Sequence, residues 1–138
     1  MPEDCDKTPP KILENPFTTP GAISWSDLAS KDPAASKAFY AAAFGWEFEE
    51  MEKPMGTYSC IKVDGARIGG IMQTPCPKGT TTWTSYVTVE DADATFAKVK
   101  ELAAIPVTDV MIVPTVGKMF LFQDPQGAII NAIQYIND

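Results

Sequence analysis

Apolar and polar residues alternate over several short stretches of the chain, and each such stretch predicts a β-strand. Successive side chains of a strand point to opposite faces, so a period of two is typical of a half-buried strand. In chain order, the stretches are Gly21–Leu28, Trp46 to about Glu52, Tyr58–Val63, Arg67–Gln73, Trp83–Val89, about Val107–Ile112, Met119–Gln123 and Ala128–Ile136. In the first stretch, the alternation places Ile23, Trp25 and Asp27 on one face.

Two other stretches have the helical spacing of apolar residues, and an aspartate precedes each of them. Asp32 followed by Pro33 is typical of a helix start, and Gly45 is typical of a helix end. Asp91 precedes the second helix in the same way. The side chains predicted to pack on the sheet are Ala35, Ala38, Phe39 and Ala42 in the first helix and Ala92, Phe96, Val99 and Ala103 in the second.

The order of strand, helix and three strands occurs twice, which predicts two similar modules at about residues 21–74 and 82–138. Each module has a late turn signal, Asp64-Gly65 in the first and Asp124–Gly127 in the second. A module of this size cannot bury its own sheet face, so the two should pair.

A single domain is therefore expected over residues 21–138. The segment Pro75–Gly79 breaks the pattern and is interpreted as the joint between the modules. Residues 1–20 contain five prolines and predict a tail, because proline at that density interrupts both helices and strand ladders.

The chain of 138 residues contains no histidine and three cysteines, and its net charge is −7. The missing histidine excludes serine–histidine and cysteine–histidine nucleophile pairs and the histidine-containing metal sites. The negative charge disfavours nucleic acid and anionic membranes as partners and would tolerate a cationic ligand. Neither a secretory signal nor a membrane-spanning run is recognisable, so a cytoplasmic location is expected by default.

Four segments, taken in order, resemble the glyoxalase/bleomycin-resistance/dioxygenase superfamily, also called the vicinal-oxygen-chelate superfamily. They are SWSDLASKDPAASKAFYAAAFGWEF (Ser24–Phe48), VDGARIGGIM (Val63–Met72), WTSYVTVEDADATFAKVKELAA (Trp83–Ala104) and FQDPQGAIINAIQ (Phe122–Gln134). The resemblance implies an α+β fold in which two βαβββ modules form paired curved mixed sheets around a cup. It also implies a homodimer, since members of this family commonly pair modules within or between chains.

Metal-dependent members of this family place four histidine, glutamate or glutamine ligands in the cup, on the first and last strands of each module. The resemblance carries these positions over to Trp25, Thr84, Asn131 and, least directly, Gly69. Tryptophan and glycine offer no ligand atom, and threonine and asparagine are weak ligands. We therefore expect neither a family-type metal site nor another cofactor.

The candidate ligand-binding residues each have a structural alternative. The Trp25 ring either stacks on an aromatic or cationic ligand or packs in the core. The Asp27 carboxylate either pairs with a cationic ligand or lies at a solvated strand end. Thr84 and Tyr86 line a ligand cup or face solvent at a sheet edge. Asn131, between apolar neighbours on its strand face, contacts a ligand or makes a structural hydrogen bond.

Three functional hypotheses follow from this sequence. The first is a metal-independent binding protein that sequesters a small aromatic or cationic compound. The second, less favoured, is an enzyme of the same superfamily, such as a lyase, isomerase or dioxygenase-like protein; a glyoxalase-like lyase would have to work without the usual metal site. The third is a non-catalytic interaction module whose cup is filled by its own side chains. No catalytic residue is assigned.

Overall fold

The computed structural model describes residues 13–53, 56–75 and 80–136. Within these residues, a strand followed by a helix and then by further strands occurs twice. The first module consists of β1 (Ile23–Ser30), α1 (Pro33–Phe44), β2 (Glu47–Lys53), β3 (Gly56–Val63) and β4 (Ala66–Gln73). The second consists of β5 (Thr82–Thr88), α2 (Ala92–Glu101), β6 (Ile105–Pro106), β7 (Met111–Val113), β8 (Gly117–Gln123) and β9 (Ile129–Tyr135). A short 3-10 helix, Pro16–Thr18, precedes β1. The predicted joint lies largely outside the described residues.

The strands form one open, curved mixed sheet in the order β2-β3-β4-β1-β5-β9-β8-β6, with β7 paired to β8. In each module the first strand pairs in parallel with the last one, β1 with β4 and β5 with β9. The two modules meet where β1 and β5 pair in antiparallel orientation. The predicted α+β class and module order are thus confirmed, with the two expected sheets joined edge to edge into one.

Both helices begin at the residues that the sequence indicates. The helix α1 also ends where the sequence indicates. The Asp32 carboxylate accepts a hydrogen bond from the backbone N–H of Ala35 at 3.1 Å, and Asp91 accepts one from Ala94 at 3.1 Å. Gly45 follows α1 in the left-handed conformation, with φ of 75°, which costs glycine little. Neither helix among the described residues is long and apolar enough to cross a membrane.

The helices cover one face of the sheet, called the outer face here, and this face carries the core. In the first module the core is formed by Leu28, Ile61 and Ile71. In the second, Phe120 is fully buried and the Phe96 ring of α2 packs edge-on against it at 5.2 Å between centroids. The opposite face, which we call the inner face, is the one that neither helix covers.

The apolar side predicted for α1 is wrong, because Ala35, Ala38, Phe39 and Ala42 are all exposed. The helix instead turns its other side to the sheet. Ser36 Oγ lies 2.7 Å from Ser30 Oγ, and the Tyr40 ring packs on the Trp46 ring at 5.2 Å between centroids. These contacts fix the rotation of the helix, so its alanine-rich side faces solvent. In α2 the predicted side is correct for Ala92, which is buried, and for Phe96 and Val99, which are partly buried. It is wrong for Ala103, which lies beyond the end of α2 and is exposed.

The predicted strand at about Val107–Ile112 is also wrong and is replaced by the shorter β6 and β7. The chain bends between them because the N–H groups of Val107 and Thr108 both donate to the carbonyl of Leu121, at 2.8 and 3.1 Å. The Thr108 hydroxyl in turn accepts from the Leu121 N–H at 3.0 Å. Two successive donors on one acceptor cannot continue a regular ladder.

Candidate functional site

The five residues predicted to form a site lie on the inner face, on three neighbouring strands. In the antiparallel pair of β1 and β5, Trp25 is opposite Tyr86 and Asp27 is opposite Thr84. In the parallel pair of β5 and β9, Tyr86 is aligned with Asn131. Side chains of directly paired residues project from the same face of a sheet. The structure therefore brings these five residues together across the junction of the two modules.

The carboxylate of Asp27 is the centre of a hydrogen-bond network on the inner face. Its side chain is only 5 % exposed. Tyr86 donates to Oδ2 at 2.7 Å, and Tyr58 donates to Oδ1 through a short contact. The indole N–H of Trp25 is shared between Asp27 Oδ1 and the Tyr58 hydroxyl oxygen, each at 2.9 Å. The solvated strand end considered for Asp27 is thus excluded, because the group is buried and holds three aromatic side chains in place.

The two tyrosines of this network are held in their neutral form. The pKa of Tyr58 and that of Tyr86 are raised well above the usual value, first by burial and then by the negative charge of Asp27 and the hydrogen bond donated to it. For Tyr58 the hydrogen bond from Trp25 acts in the opposite direction. Both hydroxyls therefore remain donors to Asp27 over the physiological pH range.

The sequence patterns did not indicate Tyr58 as a site residue. Its hydroxyl can reach Asp27 only because position 70 is a glycine. Tyr58 lies on β3, separated from β1 by β4, and its ring passes directly over Gly70. A Cβ at position 70 would lie 1.9 Å from the Tyr58 hydroxyl oxygen. A glycine inside a strand often marks such a close approach, so Gly70 was the available signal.

The assignment of Gly69 to the inner face is wrong. Gly69 pairs with Ser26 and Gly70 pairs with Asp27, so Gly69 belongs to the outer face. A Cβ there would lie 2.4 Å from the Ser26 carbonyl oxygen and 3.4 Å from the Ile61 side chain. Because side chains alternate along a strand, a one-residue error in the alignment moves a position to the other face.

A second cluster joins the start of β1 to the end of β9. Ser24 Oγ lies 2.7 Å from the Tyr135 hydroxyl and 2.9 Å from Thr88 Oγ1. Ser24 reaches this cluster because the β1–β5 register shifts between Ile23 and Trp25. Ile23 is consequently paired with Val87 and does not share the face of Trp25, so that part of the strand prediction is wrong. A β-bulge of this kind leaves no trace in the alternation of apolar residues.

The 3-10 helix before β1 extends the inner face. The Phe17 ring packs against Trp25 at 6.1 Å and against Tyr135 at 5.2 Å between centroids. Thr88 Oγ1 is 2.8 Å from the Pro16 carbonyl oxygen, which ties this helix to β5. Residues 13–20 therefore contribute an aromatic side chain to the rim of the site, while residues 1–12 of the predicted tail lie outside the described residues.

The potential metal-ligand atoms on the inner face do not fit the metal site of the metal-dependent members of the family that this sequence resembles. The indole nitrogen of Trp25 has no lone pair to give and already donates its hydrogen. The neighbouring phenols stay protonated and offer no anionic oxygen, so the Asp27 carboxylate is the anionic ligand that the described residues supply to this network. Within residues 13–53, 56–75 and 80–136, no group of three histidine, cysteine, aspartate or glutamate side chains could hold a metal ion.

The fold defines the class of protein: two βαβββ modules joined through their first strands, with a polar network across the junction. The family model of the Glyoxalase/Bleomycin resistance protein/Dioxygenase superfamily matches residues 22–131 of the chain. The chain belongs to this superfamily, which confirms the resemblance seen in its sequence.

Relatives with known names are considerably longer than this chain. The chain is 34 % identical over 115 residues to the "Putative glyoxylase CFP32" of Mycobacterium bovis, covering 83 % of this chain and 44 % of the relative. It is 34 % identical over 124 residues to the "Anthracycline biosynthesis protein DnrV" of Streptomyces peucetius, covering 79 % and 45 %. The chain thus spans less than half the length of these relatives.

Solved structures share the fold at low sequence identity. A hypothetical protein from Bacillus halodurans matches with a TM-score of 0.65 at 8 % identity, over 84 % of this chain and 95 % of the other. A variant of methylmalonyl-CoA epimerase from Streptomyces coelicolor matches with a TM-score of 0.63 at 14 % identity, over 83 % and 97 %. At these identities the likeness shows the fold alone.

Proposed function

We propose that the protein binds a small planar aromatic molecule, preferably one that carries a positive charge, on the inner face and without a metal ion. One observation carries this proposal: the rings of Trp25, Tyr58 and Tyr86 are fixed around the buried carboxylate of Asp27. Trp25 and Tyr58 are partly exposed, whereas Tyr86 and Asp27 are buried. The inner face thus offers aromatic surface above an acidic centre.

The hydrogen bonds of this network support binding because they fix the rings before a ligand arrives. A ring held in one orientation loses little conformational entropy on binding, which is the benefit of preorganisation. Stacking on Trp25 and on the nearby ring of Phe17 would supply most of the contact area. Asn131 is buried beside Tyr86, and in this proposal its amide orients a polar edge of the ligand.

The charge of the chain and the names of its relatives support the same ligand class. A net charge of −7 favours cations over anions at the surface. One relative is named for anthracycline biosynthesis, and an anthracycline glycoside combines a planar polycyclic ring system with a protonated amino sugar. We therefore take an anthracycline glycoside and its uncharged aglycone as probes of ring and charge recognition.

Replacing Trp25 by phenylalanine should weaken binding of the anthracycline glycoside by about three- to tenfold, because indole offers a larger stacking surface than benzene. The dissociation constant is measured by isothermal titration calorimetry. The matched control is Trp83→Phe, since Trp83 lies on the outer face and undergoes the same chemical change. This control should bind like the unmodified protein, within about twofold.

The comparison of the two probes separates ring stacking from charge. The glycoside should bind more tightly than the aglycone at low salt, and the difference should shrink as salt screens the acidic surface.

Equal losses of affinity in Trp25→Phe and Trp83→Phe would place binding elsewhere. No detectable heat with either probe at two well-separated temperatures and at the highest usable concentration would refute the proposed ligand class.

A second candidate function, a glyoxalase-like lyase, is favoured by the position of Asp27 between two phenols. A carboxylate can accept a proton from a substrate carbon while a neighbouring phenol supplies one to an oxygen. The relative named a putative glyoxylase suggests the hemithioacetal of methylglyoxal and a thiol as the substrate to test. If the second function is correct, the hemithioacetal should be consumed at a rate that Tyr86→Phe lowers at least tenfold. Equal consumption with and without protein would exclude this candidate and leave the binding proposal untouched.

A further inference from the structure

We propose that the outer face carries a second binding site, which takes a small organic cation with a quaternary, fully methylated ammonium group. The site is a groove of about 490 Å³ between α1 and the central strands β1 and β4. Its walls are formed by Tyr40, Phe44, Trp46, Ile68 and Trp83. The groove and the inner face lie on opposite sides of the sheet, so this proposal does not depend on the proposed function.

The aromatic rings of the groove form two walls that stand almost at a right angle. Tyr40 and Trp46 stack with 26° between their planes and 5.2 Å between their centroids. The plane of Trp83 makes angles of 74° with Tyr40 and 82° with Trp46. The indole N–H of Trp83 donates a hydrogen bond to the Tyr40 hydroxyl oxygen at 3.1 Å, which fixes the corner between the walls. Sites that recognise quaternary ammonium groups are built from aromatic rings around the cation.

The electrostatics of the groove favour a positive charge, although no carboxylate lies among the described residues that line it. The face of an aromatic ring carries partial negative charge and attracts a cation. The groove also lies at the C-terminal end of α1, where Phe44 is the last helical residue and the last turn has no basic side chain. Backbone carbonyls at a helix C-terminus are a further source of partial negative charge. A bound cation would supply the positive charge that this helix end lacks.

The lining of the groove selects a quaternary ammonium group over a primary one. A primary ammonium is strongly hydrated and has three N–H donors that need acceptors. Among the described lining residues, the side-chain oxygens are the hydroxyls of Ser26 and Tyr40, and the Tyr40 oxygen already accepts the hydrogen of Trp83. A trimethylammonium group has no N–H to satisfy and presents methyl groups to the rings. An unmethylated amino sugar should therefore not compete for this groove.

Choline is the probe for this site, and its binding is followed by NMR through the indole N–H signals of the isotope-labelled protein. The signals of Trp46 and Trp83 should shift during the titration, whereas the signal of Trp25, on the inner face, should not. Choline chloride replaces sodium chloride at constant ionic strength, so the screening of the acidic surface stays the same. The neutral isostere 3,3-dimethylbutan-1-ol, in which carbon replaces the charged nitrogen, should bind about fivefold more weakly or worse.

Phe44→Leu removes a ring from the wall but keeps an apolar side chain, so it should raise the dissociation constant of choline about three- to tenfold. The matched control is Phe39→Leu on the same helix, because both phenylalanines are 63 % exposed and Phe39 does not line the groove. This control should bind choline within about twofold of the unmodified protein. Trp83→Phe is the second test variant and should also weaken binding, because indole is the stronger partner for a cation. Circular dichroism should show that the variants are folded.

Four results would overturn the proposal. The first is an unchanged position of the Trp46 and Trp83 signals at every choline concentration. The second is equal affinity for choline and its neutral isostere, which would mean that apolar contact alone fills the groove. The third is equal affinity in Phe44→Leu and Phe39→Leu, and the fourth is a shift confined to the Trp25 signal. The inner-face proposal is tested with other probes and with Trp25→Phe, so the two proposals can fail separately.

Discussion

Replacing Asp27 by leucine should lower the free energy of unfolding by about 3–5 kcal/mol, with chemical denaturation at pH 7 as the measurement. The carboxylate accepts hydrogen bonds from Trp25, Tyr58 and Tyr86, and its side chain is almost completely buried. Leucine fills a similar volume but accepts no hydrogen bond. Each buried donor that loses its acceptor costs about 1–3 kcal/mol, and the Trp25 N–H keeps its contact with Tyr58.

A milder substitution at Asp27 and the same milder substitution at an exposed position provide the controls. Asp27→Asn keeps one oxygen acceptor and should cost clearly less than Asp27→Leu. Asp64→Asn changes an exposed turn residue with a φ of 50°, a conformation that asparagine tolerates, and should leave stability nearly unchanged. A loss below about 1 kcal/mol in Asp27→Leu would mean that the network does not stabilise the fold.

Stability should also fall steeply above pH 10, by about 3 kcal/mol between pH 8 and pH 11. The fold raises the pKa of Tyr58 and Tyr86 above the usual value near 10, mainly by burial. Their contribution to stability is therefore fully present below pH 10. As pH rises further, these tyrosines ionise only in the unfolded chain, and each reduces stability by about 1.4 kcal/mol per pH unit.

Urea unfolding at a series of pH values measures this slope. The double variant Tyr58→Phe/Tyr86→Phe should be less stable at pH 8 but should lose stability less steeply above pH 10, because phenylalanine has no ionisable hydroxyl. Tyr135, whose pKa is also raised by burial, remains in the variant and should leave part of the slope. An unchanged slope in the double variant would show that other groups control alkaline unfolding.

The periods of the sequence predicted the order of the elements and which residues of each strand share a face, while the family resemblance predicted that the candidate residues meet in one cup. A period of two placed Trp25 with Asp27 and Thr84 with Tyr86, and the register of β1 and β5 brings these pairs together. Asp32 and Asp91 marked the helix starts because an N-cap is a local interaction. Features of this kind depend on neighbours in the chain, which is why they can be predicted.

The missed features depend on contacts between distant residues. Tyr58 reaches Asp27 across an intervening strand, and only the absence of a side chain at Gly70 permits it. The rotation of α1 is fixed by Tyr40 and Ser36, whereas the alanine spacing indicated the opposite side. A local pattern gives two plausible sides for a helix that is apolar on both, and tertiary packing decides between them.

The junction of β1 and β5 has a consequence for how such proteins can diversify. Trp25, Asp27 and Tyr58 come from one module, while Tyr86 and Asn131 come from the other. A shift of two residues along this junction would keep every side chain on its face but would pair Asp27 with a different residue of β5. Duplicated modules could in this way acquire new inner surfaces through realignment of existing strands, with few substitutions in either half.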